Sequence, residues 1–110
     1  MKVFAMKMRK LSEHSGAAAA LLSAMANPKR LMILCNLVNG EVPVGVLANQ
    51  VGLSQSALSQ HLSKLRAQKL VKTRRDAQTI YYSSNSAQVI TLLSALESIY
   101  GEVEIAKTAA

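Results

Sequence analysis

The side chains of this chain that could do chemistry lie in one stretch, residues 54–79. Ser, Gln and His side chains occupy its start, where a helical pattern begins, and Arg, Gln and Thr side chains surround a polar turn near its end. Amide and guanidinium groups form paired hydrogen bonds with base edges in the major groove of DNA, while hydroxyls bind bases or phosphates. We therefore predict an interface with double-stranded DNA. The predicted contact residues are Ser54, Gln55, Ser56, Ser59, Gln60, His61, Lys64, Arg74, Arg75, Gln78 and Thr79.

A run of basic residues overlaps this stretch. It contains Lys64, Arg66, Lys69, Lys72, Arg74 and Arg75. Asp76 is the one acid beside the run, and the whole chain has a formal net charge of +7. Such a cluster neutralises phosphates, and on charge alone it fits DNA, RNA or an anionic membrane. With three Tyr and one Phe, the chain has few rings on which single-stranded bases could stack, so duplex DNA is favoured.

Three further side chains have two interpretations each. His61 lies where a helical residue could touch DNA, but a helical His also commonly packs against a neighbour. Lys29 and Arg30 follow a predicted helix start, where they could hold a phosphate or could be ordinary surface charge. The residue types alone leave these alternatives open.

The elements that must position these residues follow from the spacing of apolar residues and from the turn residues between them. Asn27-Pro28 and Ser54 are typical of helix starts, and Gly40 and Gly52 are typical of helix ends. Two β-favouring runs around a polar turn at residues 75–78 predict a hairpin with two arginines at its tip. The predicted elements are helices at 13–26, 28–39, 44–51 and 54–68, a hairpin at 70–83 and a final helix at 87–103.

This order, α-α-α-α-β-β-α, predicts a mainly α fold with a small β-hairpin wing, the winged helix-turn-helix. The helices at 44–51 and 54–68 are separated by Gly-Leu-Ser, a link short enough for a helix-turn-helix. We predict one domain over residues 1–110, with flexible ends at 1–12 and 104–110. The helices at 13–26 and 87–103 are more apolar than a small monomer needs, so we expect them to form a homodimer interface.

Other kinds of site find little support in the sequence. The single cysteine, Cys35, excludes an intramolecular disulfide and a multi-cysteine zinc site, and it fits a reducing cytoplasm. Its apolar sequence neighbours favour a small buried thiol. The chain has no pattern typical of an enzyme, and no apolar run approaches the roughly 18 residues of a membrane span. Glu13 and His14 interrupt the N-terminal region, which argues against a secretory signal.

Three segments resemble the ArsR family of small dimeric winged-helix regulators. They are AMANPKRLMIL at 24–34, VGLSQSALSQHLSKLRAQ at 51–68 and TRRDAQTIYYS at 73–83, within a resemblance that runs from about Ala20 to Gly101. The resemblance implies a cytoplasmic homodimer that binds an imperfect inverted repeat and represses transcription by occluding a promoter. It places the predicted contacts at 54–61 on the recognition helix and those at 74–79 on the wing.

The chain departs from the metal-sensing pattern that the resemblance would otherwise imply. Family members that sense metals use cysteines in the third helix or His and carboxylates in the last one. Here residues 42–46 have no thiol, and residues 87–100 have no His and a single acid, Glu97. We therefore expect no metal and no other cofactor. Two alternatives remain: a thiol- or redox-responsive regulator that senses through Cys35, and a protein-interaction or RNA-binding module that kept the winged shape.

Overall fold

The computed structural model describes the backbone of residues 2–109 and the side chains of residues 8–101. Its elements are α1 (Lys2–Glu13), α2 (Ser15–Met25), α3 (Pro28–Leu37), β1 (Val42–Pro43), α4 (Val44–Val51), α5 (Gln55–Ala67), β2 (Lys72–Asp76), β3 (Thr79–Ser83) and α6 (Ala87–Ala109). Every predicted element is present in the predicted order, so the mainly α fold with a hairpin wing is confirmed. The structure adds two elements that we did not predict, α1 and the short strand β1.

The two ends of the chain differ from the prediction. We predicted no regular element before residue 13, and the backbone there forms α1 instead. The last helix, which we expected to end at residue 103, continues to Ala109. The side chains of residues 1–7 and 102–110 lie outside the described residues, and the flexibility expected of 1–12 and 104–110 stays a prediction.

Local signals explain where the central helices begin and end. The Asn27 side chain accepts the first two free backbone N–H groups of α3, at 2.8 and 3.2 Å, and Pro28 takes the first helical position. The Ser54 hydroxyl likewise accepts a backbone N–H in the first turn of α5, at 3.2 Å. Gly52 has a φ of 70°, which lets the chain turn sharply between α4 and α5. The helix-turn-helix of α4 and α5 is therefore fixed at its turn by Gly52 and at the start of α5 by Ser54.

The end of α5 is fixed by backbone hydrogen bonds. The N–H groups of Lys69 and Leu70 donate to the carbonyls of Arg66 and Leu65, at 2.8 and 3.0 Å. This is the Schellman arrangement, whose left-handed position usually holds glycine; here Lys69 occupies it with a φ of 59°. Leu70 is buried directly after the turn, so the chain leaves α5 towards the wing in one direction.

The wing is the antiparallel hairpin of β2 and β3, and β1 pairs with the other edge of β3. Its loop has two residues, Ala77-Gln78, instead of the four that we predicted. Ala77 has a φ of 56°, the positive value that a two-residue hairpin loop of type II′ needs at its first position.

The shorter loop corrects the placement of two arginines. We predicted Arg74 and Arg75 at the hairpin tip, and they lie within strand β2 instead, opposite Tyr81 and Ile80. Successive residues of a strand point to opposite faces of the sheet, so the two arginines face in opposite directions. Their roles must therefore differ.

The core lies where α3, α4 and α5 meet. Burying a leucine side chain stabilises the fold by about 1.5–3 kcal/mol, and α5 contributes three leucines, which direct its remaining faces outward. The fully buried side chains are Ile33, Leu34, Leu37, Leu47, Val51, Leu58, Leu62, Leu65, Leu70 and Val89.

The terminal helices are less well covered. Among residues 87–101 of α6, Val89 alone is buried, and Tyr100 keeps 72% of its surface exposed. An open groove of about 250 Å³ between α2 and α6 has an apolar lining. Its lining residues are Leu22, Met25, Ala26, Leu31, Leu92, Ala95 and Leu96. The interface predicted for these helices stays a prediction.

Cys35 corrects another expectation. We predicted a buried thiol, and the structure places Cys35 on the exposed side of α3. The buried face of α3 holds Ile33, Leu34 and Leu37, whereas Cys35 shares the outer face with Met32, three residues before it. Apolar neighbours in the sequence did not mean apolar neighbours in the fold.

Candidate nucleic-acid interface

The polar face of α5 carries most of the predicted contacts. Leu58, Leu62 and Leu65 are buried on one side of the helix, and this packing fixes its rotation. The candidates on its other faces are exposed at the surface. They are Ser54, Gln55, Ser56, Ser59, Gln60 and Lys64. A helix held in this way by a buried side presents its amide and hydroxyl groups together, as a major-groove helix must.

The first turn of α5 combines these groups with the positive end of the helix. Ser54 caps the helix, and its hydroxyl also lies 3.3 Å from that of Ser56. The N-terminus of a helix favours negative charge because its first backbone N–H groups have no partner within the helix. The Ser54 hydroxyl therefore has a structural task as well as its predicted contact with DNA.

His61 is the one candidate on α5 that is half-buried. Its Nδ1 atom lies 3.3 Å from Nη1 of Arg30. Burial lowers the pKa of His61 below its ordinary value, and the charges of Arg30 and Lys64 lower it further. The packing interpretation of His61 therefore applies to one side of its ring, while its exposed part keeps the DNA contact open.

The two cations at the start of α3 are bound to backbone carbonyls. Lys29 Nζ donates to the carbonyl of Val51, at 2.6 Å, at the end of α4. Arg30 Nε donates to the carbonyl of Ala24, at 2.6 Å, at the end of α2. Cations stabilise the negative ends of helices, so both side chains join α3 to the end of another helix. Our two interpretations, a phosphate contact or plain surface charge, both missed this role.

Arg74 is engaged at the base of the wing. Its Nε and Nη2 atoms donate to the two carboxylate oxygens of Glu41, at 2.8 and 3.0 Å. Its guanidinium also lies 4.5 Å from the centre of the Tyr81 ring, and its Nη1 atom lies 4.0 Å from Oδ2 of Asp76. The hydrogen bond from Arg74 holds the pKa of Glu41 below its ordinary value, and the charge of Lys72 acts in the same direction.

The remaining wing candidates lie on β2, in the loop and on β3. Arg75 is exposed, and among residues 8–101 no salt bridge joins it to a carboxylate. Gln78 is exposed in the two-residue loop, and Thr79 is half-buried at the start of β3. Of the two wing arginines, Arg75 therefore has the fewer competing partners for a phosphate.

No local sequence signal indicates Glu41 as the partner of Arg74. The two residues are 33 positions apart, and only the pairing of β1 with β3 brings them together. Tyr81 could have been found from the hairpin register, because it lies opposite Arg74 once the loop is taken as two residues.

Two other kinds of site, a metal cluster and a membrane-spanning helix, are not found among the described residues. Within residues 8–101, no three His, Cys, Asp or Glu side chains cluster closely enough to hold a metal ion. No helix of the described residues combines the length and the apolar character that a membrane crossing requires.

The helix-turn-helix, the exposed polar face of α5 and the basic strand beside it together define a DNA-binding protein of the winged-helix class. Residues 27–73 match the bacterial regulatory protein, arsR family. The chain belongs to that family, as its relatives also show.

The relatives define the branch of the family. The chain is 69% identical to the nodulation protein NolR of Rhizobium meliloti over 90 residues, which are 82% of this chain and 74% of NolR. It is 45% identical to the transcriptional activator HlyU of Vibrio cholerae over 95 residues, which are 86% of this chain and 88% of HlyU. The crystal structure of NolR from Sinorhizobium fredii superimposes with a TM-score of 0.79 at 68% identity, over 84% of this chain and 92% of that one.

These relatives confirm the NolR and HlyU branch, which residues 51–68 and 73–83 indicate. The family consists of transcription regulators, and the protein is accordingly a regulator and not an enzyme.

Proposed function

We propose that this chain is a homodimeric transcription repressor that binds an imperfect inverted repeat, one half-site per subunit, without a metal cofactor. The observation that carries the proposal is the exposed row of Gln and Ser on α5, held outward by three buried leucines beside the basic strand β2. Gln side chains pair with adenine and Ser with several bases, so this face can discriminate among sequences. Arg75 and Lys64 would supply phosphate contacts.

The uncovered apolar surface supports a homodimer. Leu22 on α2 and Ile90 and Ile99 on α6 are exposed in a single copy, and the groove between these helices is apolar. A two-fold interface uses the same patch on both copies, which suits a pair of terminal helices. Two copies of α5 related in this way would meet two half-sites of an inverted repeat.

The regulatory outcome and the location follow from relatives and from the target. Relatives named for their role include an activator, HlyU, and a repressor, the biofilm growth-associated repressor of Xylella fastidiosa. A bound winged helix can act most simply by occupying a promoter, which is repression. A regulator that acts on promoter DNA would work where that DNA lies, in the cytoplasm.

Selection of bound sequences from a random duplex library tests the DNA-binding role. We expect an enriched inverted repeat that binds far more tightly than scrambled DNA at two salt concentrations. Gln60→Ala should relax the preference at one position of each half-site, while Gln50→Ala, a matched change outside α5, should not. Equal losses on selected and scrambled DNA for Gln60→Ala would contradict base recognition by this face.

Sedimentation of a groove variant tests the homodimer. Leu22→Glu places a charge in the apolar groove, and we expect it to produce a monomer that has lost its tight binding to the inverted repeat. Val46→Glu changes a similarly exposed apolar residue on α4 and serves as the control. A dimeric Leu22→Glu protein would exclude this groove from the interface.

A reporter gene placed behind the selected operator then distinguishes repression from activation. We expect expression to fall when the protein is present and to recover when Gln60 and Arg75 are both replaced by alanine. A rise in expression would make the protein an activator.

The exposure of Cys35 supports a second candidate, a thiol-responsive regulator. Cys35 borders a groove between α3 and α6, together with Val38, Leu93 and Glu97, so an oxidant can reach it. Operator affinity measured with and without peroxide or a sulfur donor tests this role, in the wild type and in Cys35→Ser. The same response in both proteins would remove Cys35 from consideration.

A further inference from the structure

The two histidines of this chain have hydrogen-bond partners of opposite chemistry at the same ring nitrogen. His14 Nδ1 lies 3.1 Å from the carbonyl oxygen of Lys10, and a carbonyl can only accept. His61 Nδ1 lies 3.3 Å from Nη1 of Arg30, and a guanidinium can only donate. His14 therefore carries a hydrogen on Nδ1, whereas His61 must accept at Nδ1 and carry its hydrogen on Nε2.

The guanidinium that meets His61 is itself anchored. Arg30 keeps 8% of its surface exposed, and its Nε and Nη2 atoms donate to the carbonyls of Ala24 and Ser23, at 2.6 and 3.4 Å. These carbonyls belong to the last turn of α2, and their positions are fixed by the helix. Within residues 8–101, the salt bridges are those of Arg74, so no carboxylate competes for Arg30.

We propose that Arg30 is a positioning residue that fixes His61 of α5 as the neutral Nε2–H tautomer and so ties the DNA-binding helix to the end of α2. The planar guanidinium spans three acceptors, two carbonyls and one ring nitrogen. It thereby sets which ring nitrogen of His61 donates. The connection runs from a helix of the proposed dimer groove to the helix that carries the proposed base contacts.

The tautomer decides what His61 can offer to DNA. With Nδ1 occupied by Arg30, the hydrogen on Nε2 is the one donor of the ring, and base acceptors or phosphate oxygens are the groups that could receive it. This part of the inference rests on the proposed function, whereas the tautomer itself is a property of the free protein.

Protonation of His61 would break the connection. An imidazolium has hydrogens on both ring nitrogens, so it cannot accept from Arg30, and it adds a positive charge beside Arg30 on α3 and Lys64 on α5. Burial and these two charges lower the pKa of His61, so its neutral form is favoured in the folded protein. The hydrogen bond is lost as the pH falls through the lowered pKa of His61 in the folded state.

Nitrogen-15 NMR of the full-length protein tests the tautomer directly, because protonated and bare ring nitrogens resonate far apart. At about pH 8 we expect the His61 signal to report hydrogen on Nε2 and the His14 signal to report hydrogen on Nδ1. On acidification, His61 should titrate below the ordinary value of a histidine. Hydrogen on Nδ1 of His61, or an ordinary titration of this residue, would overturn the proposal.

The variant Arg30→Lys separates position from charge. Lysine keeps the positive charge, but its single ammonium cannot span two carbonyls and a ring. We expect His61 to become a mixture of tautomers while its titration stays low, because its burial and the positive charge at position 30 both remain. A single Nε2–H form in Arg30→Lys would show that Arg30 does not fix the ring.

A measurement on the wild type covers the case in which Arg30→Lys does not fold. An anchored guanidinium rotates slowly and gives separate signals for its two Nη nitrogens. We expect separate Arg30 signals that merge as His61 titrates. Merged signals at about pH 8 would contradict the anchoring.

DNA binding supplies the functional readout. We expect the ratio of affinities for the selected operator and scrambled DNA to fall about two- to tenfold between about pH 8 and about pH 5 in the wild type and in His14→Gln, and to stay constant in His61→Gln. A pH response that persists in His61→Gln would exclude His61 as its source. If no sequence is selected at all, the proposed function fails, and the NMR result still decides the tautomer.

Discussion

Arg30 and Arg74 lie in two regions of the molecule, and their guanidinium charges have partners of different kinds. Arg30 is buried where α2, α3 and α5 meet, and it donates to two carbonyls and to His61. Arg74 is half in water on the wing, where it binds the carboxylate of Glu41 and lies over the ring of Tyr81.

The difference shows how burial changes the contribution of an arginine to the stability of the fold. On the wing, water screens the charges, so the ion pair orients the strand more than it stabilises the fold. In the junction, the carbonyls at the end of α2 need donors, and removing Arg30 would leave them without partners. Arg30 therefore stabilises the fold. Arg74 orients the wing surface, where DNA phosphates can compete with Glu41 for its guanidinium.

The largest effect that would test this contrast is on stability. We expect Arg30→Met to lower the free energy of unfolding by about 2–4 kcal/mol, because it removes three hydrogen bonds in a buried place. Arg74→Met should leave it close to the wild-type value, because water can replace the lost partner. Urea unfolding of both proteins measures the difference. Equal destabilisation by the two changes would show that burial does not separate them.

In DNA binding, the two wing arginines should differ, and Arg75 should contribute more than Arg74. Arg75 has no carboxylate partner among the described residues, whereas a phosphate must displace Glu41 to reach Arg74. We expect Arg75→Ala to weaken binding to all sequences and to reduce the salt slope by about 1 per subunit. Arg74→Ala should change the slope less.

The variant Glu41→Gln serves as the matched control for the wing. It frees Arg74 without removing a cation, so we expect it to strengthen binding and to steepen the slope. A larger loss for Arg74→Ala than for Arg75→Ala would show that Arg74 contacts phosphate despite Glu41.

The comparison also shows which parts of the molecule can be predicted from sequence. The helices were predictable because their signals are local: the cap at Asn27, the proline after it, Gly52 and the period of the leucines. α4 was predicted with its observed bounds, Val44–Val51. The polar face of α5 was equally accessible, because the buried leucines define its opposite side.

The partners of the charged and sulfur-containing side chains were not predictable in the same way. Arg30 meets His61 across 31 positions and Arg74 meets Glu41 across 33, and no local pattern encodes such pairs. Cys35 was misplaced because a helix alternates its faces within a few residues, so sequence neighbours do not define surroundings. The loop of the wing was predicted two residues too long, which displaced both arginines to its tip.

Acid should affect the two regions at different pH values. His61 has a lowered pKa and is neutral in the fold, so its contribution to stability is present above about pH 6.5 and is lost as the pH falls through its folded value. The lowered pKa of Glu41 places the loss of its bond with Arg74 further into acid. We expect the urea midpoint to fall as the pH falls through the folded pKa of His61, and the exposed pair of Glu41 and Arg74 should add little to this fall. His61→Gln should remove the fall, while Glu41→Gln should leave it close to that of the wild type.

The smallest expected effect on stability concerns two non-glycine residues with a left-handed backbone, one at the end of α5 and one on the wing. Lys69 ends α5 with a φ of 59°, and Ala77 opens the wing loop with a φ of 56°. A residue with a side chain costs about 1–2 kcal/mol in this conformation, so replacing it by glycine should stabilise the fold. Part of that stabilisation is offset because glycine is more flexible in the unfolded chain. We therefore expect Lys69→Gly to raise the free energy of unfolding by up to about 1 kcal/mol, and Ala77→Gly to raise it less, because an exposed loop can relax.

Lys69→Ala provides the control for this last prediction. It removes the charge of Lys69 but keeps a side chain at the left-handed position, so it should not stabilise the protein. Two hydrogen bonds and the buried Leu70 hold Lys69 in place, which is why relief should be larger there than on the wing. A greater gain from Ala77→Gly would mean that the wing is held as rigidly as the helical junction, and the contrast between the two regions would not extend to their backbones.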